Sequence, residues 1–160
     1  MTERRQRLSL TVQYATPGGD LPARALLRRW ARAALARDAV VTLRFVDEVE
    51  GRAINRSYRH RDRPTNVLAF VYHGVHGARG VDGDLVLCAP VMRREAAEQG
   101  KSLAAHCAHL VVHGLLHLQG YDHEHAPEAA RMEAREVAIL AGLGFPDPYH
   151  THAPSRRPES

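Results

Sequence analysis

A chain of 160 residues is long enough for one domain with a real core and too short for two comfortable ones. Its hydrophobic (44%) and charged (25%) fractions are those of a soluble globular protein, and no apolar run approaches a membrane span, which excludes a transmembrane protein. The net charge of +4 is carried almost wholly by arginine, since Lys101 is the only lysine, and it fits a polyanionic partner such as nucleic acid.

The basic residues at the N-terminus lead straight into an alternating segment, without an apolar signal core, so a cytoplasmic protein is expected. Leu8, Leu10, Val12 and Tyr14 alternate with Ser9, Thr11 and Gln13, which predicts a half-buried strand. After a turn at residues 16–20, a helix is predicted over residues 21–36, with Leu26, Leu27, Trp30, Ala34 and Leu35 as its apolar stripe. Residues 40–46 read as a second strand. Asp47 then reads as an N-cap with Glu50 as its capping-box partner, opening a short helix that ends near Tyr58.

A polar loop over residues 60–65 precedes a strand over 67–72, a Gly- and His-rich loop over 73–83 and a strand over 84–88. Cys88 and Cys107, outside any CxxC pair, read as buried core thiols. Pro90 opens a helix running to about Gln99, and Gly100 breaks it. Ser102 caps the next helix, which reaches about Leu118. Pro127 begins a last helix, with Ala130, Val137, Ile139 and Leu140 inward, ending at Gly142 or Gly144. Strands alternate with helices early and helices dominate late. This predicts an α+β fold: a small mixed sheet of about four strands, covered by helices on both faces. Residues 1–149 are expected to form the single domain and 150–160 a polar, flexible tail.

The chemistry concentrates in His113-Gly114-Leu115-Leu116-His117-Leu118-Gln119-Gly120-Tyr121-Asp122-His123. Residues four apart share a helix face, so His113 and His117 can converge on one ion. Gly120 can end the helix in a left-handed conformation and return His123 as a third ligand. Three ligands plus an open position is the pattern of catalytic zinc, whereas structural zinc is usually closed by four.

His109, His113 and His117 cannot all bind one ion, because eight residues of helix rise about 12 Å while zinc–nitrogen bonds are about 2 Å. Only the His113/His117 pair is followed by a turn that can return a third histidine, so His109 reads as packed, or as orienting a ligand. His106 reads as structural or partly exposed. His125 is a candidate for orienting a ligand. Asp122 either orients the His123 imidazole or serves only the turn. The remaining histidines, His60, His73, His76, His150 and His152, fall in predicted loops or the tail.

The spacing matches the metzincin protease pattern H-E-x-x-H-x-x-G-x-x-H, with Gly114 where those enzymes carry the glutamate base. Glycine cannot take a proton from water, so peptide hydrolysis by that route is disfavoured. What remains is a Lewis acid able to activate water or polarise a phosphoryl oxygen. A three-imidazole site also suits nickel, copper or iron. Upstream, Asn55-Arg56-Ser57-Tyr58-Arg59-His60-Arg61-Asp62-Arg63 packs four arginines around an aromatic residue. It reads either as a solvated basic loop or as a phosphate-binding rim.

These residues carry a family resemblance. The string Gly83-Asp84-Leu85-Val86-Leu87-Cys88, the run Glu98-Gln99-Gly100-Lys101, the block from His106 to His123 and the closing Gly144-Phe145-Pro146-Asp147-Pro148-Tyr149 resemble the bacterial YbeY family of endoribonucleases. So do Asn55, Tyr58-Arg59, Asp62 and Thr65-Asn66-Val67-Leu68-Ala69-Phe70, and the likeness runs over about residues 43–149. The resemblance implies a zincin-like fold and a zinc-dependent endoribonuclease specific for single strands. It implies a role in 16S rRNA 3′-end maturation and ribosome quality control, with precursor rRNA and the ribosome or small-subunit proteins as partners and no DNA or membrane. It assigns the zinc to His113, His117 and His123, and makes Arg59 the functional arginine. Two other classes stay in view: a metalloprotease-like hydrolase, and a non-catalytic ribosome-assembly factor with a structural metal. The nucleophile is left open between water and the RNA 2′-hydroxyl.

Overall fold

The computed structural model describes residues 6–59, 65–72, 80–121 and 125–149, with the side chain of Arg59 outside that description. The elements are β1 (Leu8–Tyr14), α1 (Arg24–Ala34), β2 (Asp38–Val46), α2 (Glu48–Arg59), β3 (Val67–Val71), β4 (Gly80–Cys88), α3 (Ala89–Glu98), α4 (Leu103–Leu118) and α5 (Ala126–Gly142). The strands form one mixed sheet in the order β1-β2-β4-β3. β1 and β4 lie parallel to β2, and β3 runs antiparallel to β4 along one edge. The expected α+β architecture is therefore the one observed.

β4 begins earlier than local composition suggests. Residues 80–83, expected in the Gly- and His-rich loop, pair in parallel with Asp38–Val41 of β2. A partner strand outweighs the weak strand preference of glycine and aspartate. Gly83 also has to be glycine, since a Cβ there would lie 2.5 Å from the Phe70 carbonyl oxygen and 2.8 Å from Leu118.

Side-chain parity sends two cores to opposite faces of the sheet. Ala39, Val41, Leu43 and Phe45 of β2 and Val81, Leu85 and Leu87 of β4 pack with Trp30 of α1 and with Val111, Leu115 and Leu118 of α4. The alternate residues Val46, Val86 and Cys88, with Leu68 of β3, form a smaller cluster against Ile54 of α2. Helices thus cover both faces, as the pattern predicts. Cys88 and Cys107 are buried free thiols. On α5 the inward residues are Met132, Glu136, Ile139 and Leu140, while Ala130 is exposed and Val137 half-buried, correcting the expected stripe.

Part of the arginine excess is structural. Arg24, Arg28 and Arg32, one turn apart on α1, donate to the carbonyls of Val12, Leu8 and Gln6. These guanidinium groups occupy backbone acceptors along the edge strand β1, which otherwise invites pairing with another chain. Asp47 caps α2 by accepting from the Glu50 N–H at 2.8 Å. The Glu50 carboxylate does not complete the expected capping box; it grips Arg44 of β2 in a two-pronged ion pair at 2.7 and 3.1 Å. Among the described residues no helix is long and apolar enough to cross a membrane. The tail from residue 150 lies outside the described residues.

Candidate metal centre

α4 is held at both ends. Ser102 Oγ accepts from the Ala105 N–H at its start. At its end Gly120 takes φ +102, while the N–H groups of Gly120 and Tyr121 return to the carbonyls of His117 and Leu116. That is the glycine-terminated stop expected from the sequence, and it redirects the chain just before His123. His113 and His117 lie within the helix one turn apart, both half-buried. His123 and Asp122 lie outside the described residues. Among the described residues no group of three His, Cys, Asp or Glu side chains is arranged to hold a metal ion.

The residue that organises this surface is Glu136 of α5, which the sequence reading passed over. Its carboxylate is fully buried and takes three donors. Oε2 lies 2.6 Å from His113 Nδ1, and Oε1 lies 3.0 Å from His109 Nε2 and also accepts from the Tyr149 hydroxyl. Burial pushes the Glu136 carboxyl up, but hydrogen bonds from His109, His113 and Tyr149 outweigh it and hold it at about 2. Burial and the same contact with Glu136 raise the Tyr149 hydroxyl, so it remains a donor. The available signal was periodicity: Glu136 stands four residues after Met132 and four before Leu140, at a core position where a carboxylate needs partners.

This geometry suits a metal ligand. His113 faces Glu136 with Nδ1, which leaves Nε2 as the nitrogen for an ion, and a carboxylate behind an imidazole makes it a better donor. Glu136 itself is sealed from solvent and saturated with donors, so it orients the imidazole and does not reach an attacking water. His109 lies beside His113, with ring centres 6.3 Å apart, and shares its carboxylate, so it is packed in place, the first of the two readings expected for it.

Gly114 points the other way. A Cβ there would meet Leu85 of β4 at 2.7 and 3.1 Å, so a side chain at 114 would be driven into the sheet. Glycine at this position lets α4 lie close on β4, in addition to lacking the protease base.

The second motif divides into a scaffold and a surface. Asn66 Nδ2 donates to Glu95 of α3 at 3.1 and 3.3 Å, and Glu95 meets the buried His106 Nε2 at 2.8 Å. The Asn66 carbonyl accepts from Cys88 N–H at 2.9 Å. Asn66 therefore anchors the start of β3 to α3 and α4. Burial lowers the His106 pKa, and the neighbouring Glu95 opposes that fall.

Arg59 is the last residue of α2, next to Tyr58, whose exposed ring meets Phe70 of β3 edge-on at 5.3 Å. α4 packs against β3 as well, so the end of α2 and the histidine helix reach this same edge strand from opposite faces of the sheet. The loop residues His60, Arg61, Asp62 and Arg63, together with His73, His76, His150 and His152, lie outside the described residues. His125, a candidate for orienting a ligand, is exposed at the N-cap of α5.

Comparison with known proteins gives a consistent result. A family model described as Endoribonuclease YbeY matches residues 21–144. The Endoribonuclease YbeY of Nitrosospira multiformis is 54% identical over 155 residues, spanning 89% of this chain and 82% of its own. That of Aromatoleum aromaticum is 57% identical over 146 residues, spanning 89% of this chain and 93% of its own. The solution structure of TM1509 from Thermotoga maritima covers 92% of this chain and 99% of its own, with TM-score 0.53 at 22% identity, a likeness of fold.

Proposed function

The chain belongs to the YbeY endoribonuclease family, and from that premise we propose that it is a zinc-dependent endoribonuclease specific for single-stranded RNA. Its substrate in this reading is precursor 16S rRNA, cut at the 3′ end in the cytoplasm and in contact with the ribosome or its small-subunit proteins. His113, His117 and His123 hold the ion, and Arg59 binds phosphate.

The observation that carries the reading is the seating of His113. Its Nδ1 is held at 2.6 Å by a buried carboxylate, its helix carries His117 one turn on, and the helix stops at Gly120, three residues before His123 in the sequence. Three imidazoles leave one coordination position for substrate. Zinc bound there would supply a Lewis acid that polarises a phosphoryl oxygen. Position 114 cannot supply a carboxylate base, because it faces Leu85 across a close contact with β4. Phosphodiester chemistry, with a charged substrate for Arg59 to grip, suits this surface better than peptide hydrolysis.

The test is cleavage of a single-stranded RNA and of the matching duplex, with chelator and after zinc is restored. The expected result is cutting of the single strand alone, lost with chelator and recovered with zinc. RNA left intact in zinc, under conditions where the Nitrosospira multiformis relative cleaves, would overturn the proposal. The product ends identify the nucleophile: a 2′,3′-cyclic phosphate marks the 2′-hydroxyl, and a 5′-phosphate marks water.

A further inference from the structure

We propose that Glu136 and Tyr149 are positioning residues for His113: Glu136 selects the Nδ1–H tautomer of His113, and Tyr149, carried on the segment after α5, holds Glu136 in place. The inference rests on the reading of His113 as a metal ligand.

The argument is one of counting protons. The Glu136 carboxylate has two oxygens and no proton to give, and three groups converge on it. His113 must therefore carry its proton on Nδ1, which leaves the lone pair on Nε2. His109 is constrained from both sides. Its Nε2 lies 3.0 Å from Glu136 and 3.2 Å from the Tyr149 oxygen, while its Nδ1 is buried without a hydrogen bond. A proton on that Nδ1 would be buried and unbonded, so His109 carries its single proton on Nε2. Each of the three groups thus directs its hydrogen at one carboxylate. An amide in its place would turn an NH2 toward at least one of these donors.

Tyr149 reaches Glu136 because the chain after α5 is tied down. Gly144, at φ +92, turns it by the same stop that ends α4, with Phe145 N–H bonded to the Leu140 carbonyl at 2.8 Å. Phe145 meets the buried Trp30 edge-on at 5.7 Å. Lys101 Nζ reaches the Pro148 carbonyl at 3.4 Å, and Asp147 Oδ1 accepts from Tyr149 N–H at 2.8 Å. The closing Gly-Phe-Pro-Asp-Pro-Tyr run thus acts as a strap from the far side of α4 to the back of a metal-ligand imidazole. Linkage makes the effect reciprocal: an ion on His113 favours the docked strap, and the docked strap favours the ion.

The experiment uses the whole chain. Zinc affinity is measured by competition with a chromophoric chelator for the unaltered protein, His113→Ala, Glu136→Gln and Tyr149→Phe. The His113 tautomer is read from nitrogen chemical shifts of 15N-histidine protein without metal. Glu136→Gln is expected to weaken zinc binding ~10- to 100-fold, the usual effect of losing a group that orients a ligand. It should also abolish the uniform Nδ1–H tautomer of His113. Tyr149→Phe, which keeps the ring, should weaken binding by a smaller factor and broaden the His113 signals.

Folded Glu136→Gln and Tyr149→Phe proteins with unaltered zinc affinity and an unaltered His113 tautomer would overturn the inference. Should Glu136→Gln not fold, Tyr149→Phe decides it alone by the same two readouts. If the unaltered protein binds zinc no better than His113→Ala, the metal reading fails instead, while the metal-free tautomer still tests Glu136.

Discussion

The two faces of the sheet carry opposite kinds of polar chemistry. Around α4 the polar side chains are assigned to one another through hydrogen bonds: the half-buried His113 and His109 and the Tyr149 hydroxyl close on the buried Glu136, and the buried His106 and half-buried Asn66 close on Glu95. Over α2 the apolar cluster is small, Arg52 and Arg56 are exposed, and Tyr58 keeps 68% of its surface. The difference follows from what each ligand demands. An ion requires nitrogens placed within a few tenths of an ångström, which only packed and hydrogen-bonded imidazoles provide. A phosphate backbone is broad and charged, and long arginine side chains serve it from an open surface.

The sharpest way to break that contrast is to remove a group from each side. His113→Ala should abolish zinc binding and lower RNA cleavage by ~3 orders of magnitude, the scale of several kcal/mol of Lewis-acid stabilisation. Parallel zinc titration and cleavage assays check this. Arg59→Ala should bind zinc normally and cleave about 100-fold more slowly, as when one fixed donor to a developing anion is lost. An Arg59→Ala protein that cleaves at the full rate would remove the α2 face from the site.

Packing effects come next. Gly114→Ala should destabilise the fold by about 1–3 kcal/mol in urea unfolding, because its Cβ would enter the Leu85 contact at 2.7 Å and small-to-large changes in a packed core cost that much. Gly142→Ala, with nothing within 4 Å of its Cβ, is the matched control and should change little.

The pH dependence of the scaffold is smaller. His106 is held below its ordinary value of 6.5 by burial, against the pull of Glu95, so the unfolded chain takes up a proton that the folded one refuses. His106 therefore contributes a stability that is full above pH 6.5 and declines as pH falls from there toward its folded value. The melting temperature should fall over that window, and less steeply in His106→Gln. Smallest of all, Arg44→Ala should cost only about 0.2–1 kcal/mol, because its ion pair with Glu50 is partly exposed. A larger loss would mean that the α2 face depends on its charges as the α4 face does.

What the sequence determined by itself was local in character. The strand alternation of residues 8–14, the Ser102 cap, the Gly120 stop and the spacing of His113 and His117 follow from the geometry of neighbouring residues. The reading of His109 as outside the ligand set rested on helix rise together with the Gly120 turn that follows only the His113/His117 pair. Tertiary structure decided whatever joins distant segments. The sheet order β1-β2-β4-β3 and the strand at 80–83 depend on partners far along the chain. Gly114, in sequence only a missing base, proved also to be the place where α4 touches β4. Glu136 lies 23 residues from His113, and Tyr149 a further 13 from Glu136. No local period links these residues. They meet because α5 packs along α4, and burial leaves a lone carboxylate stable only where donors surround it.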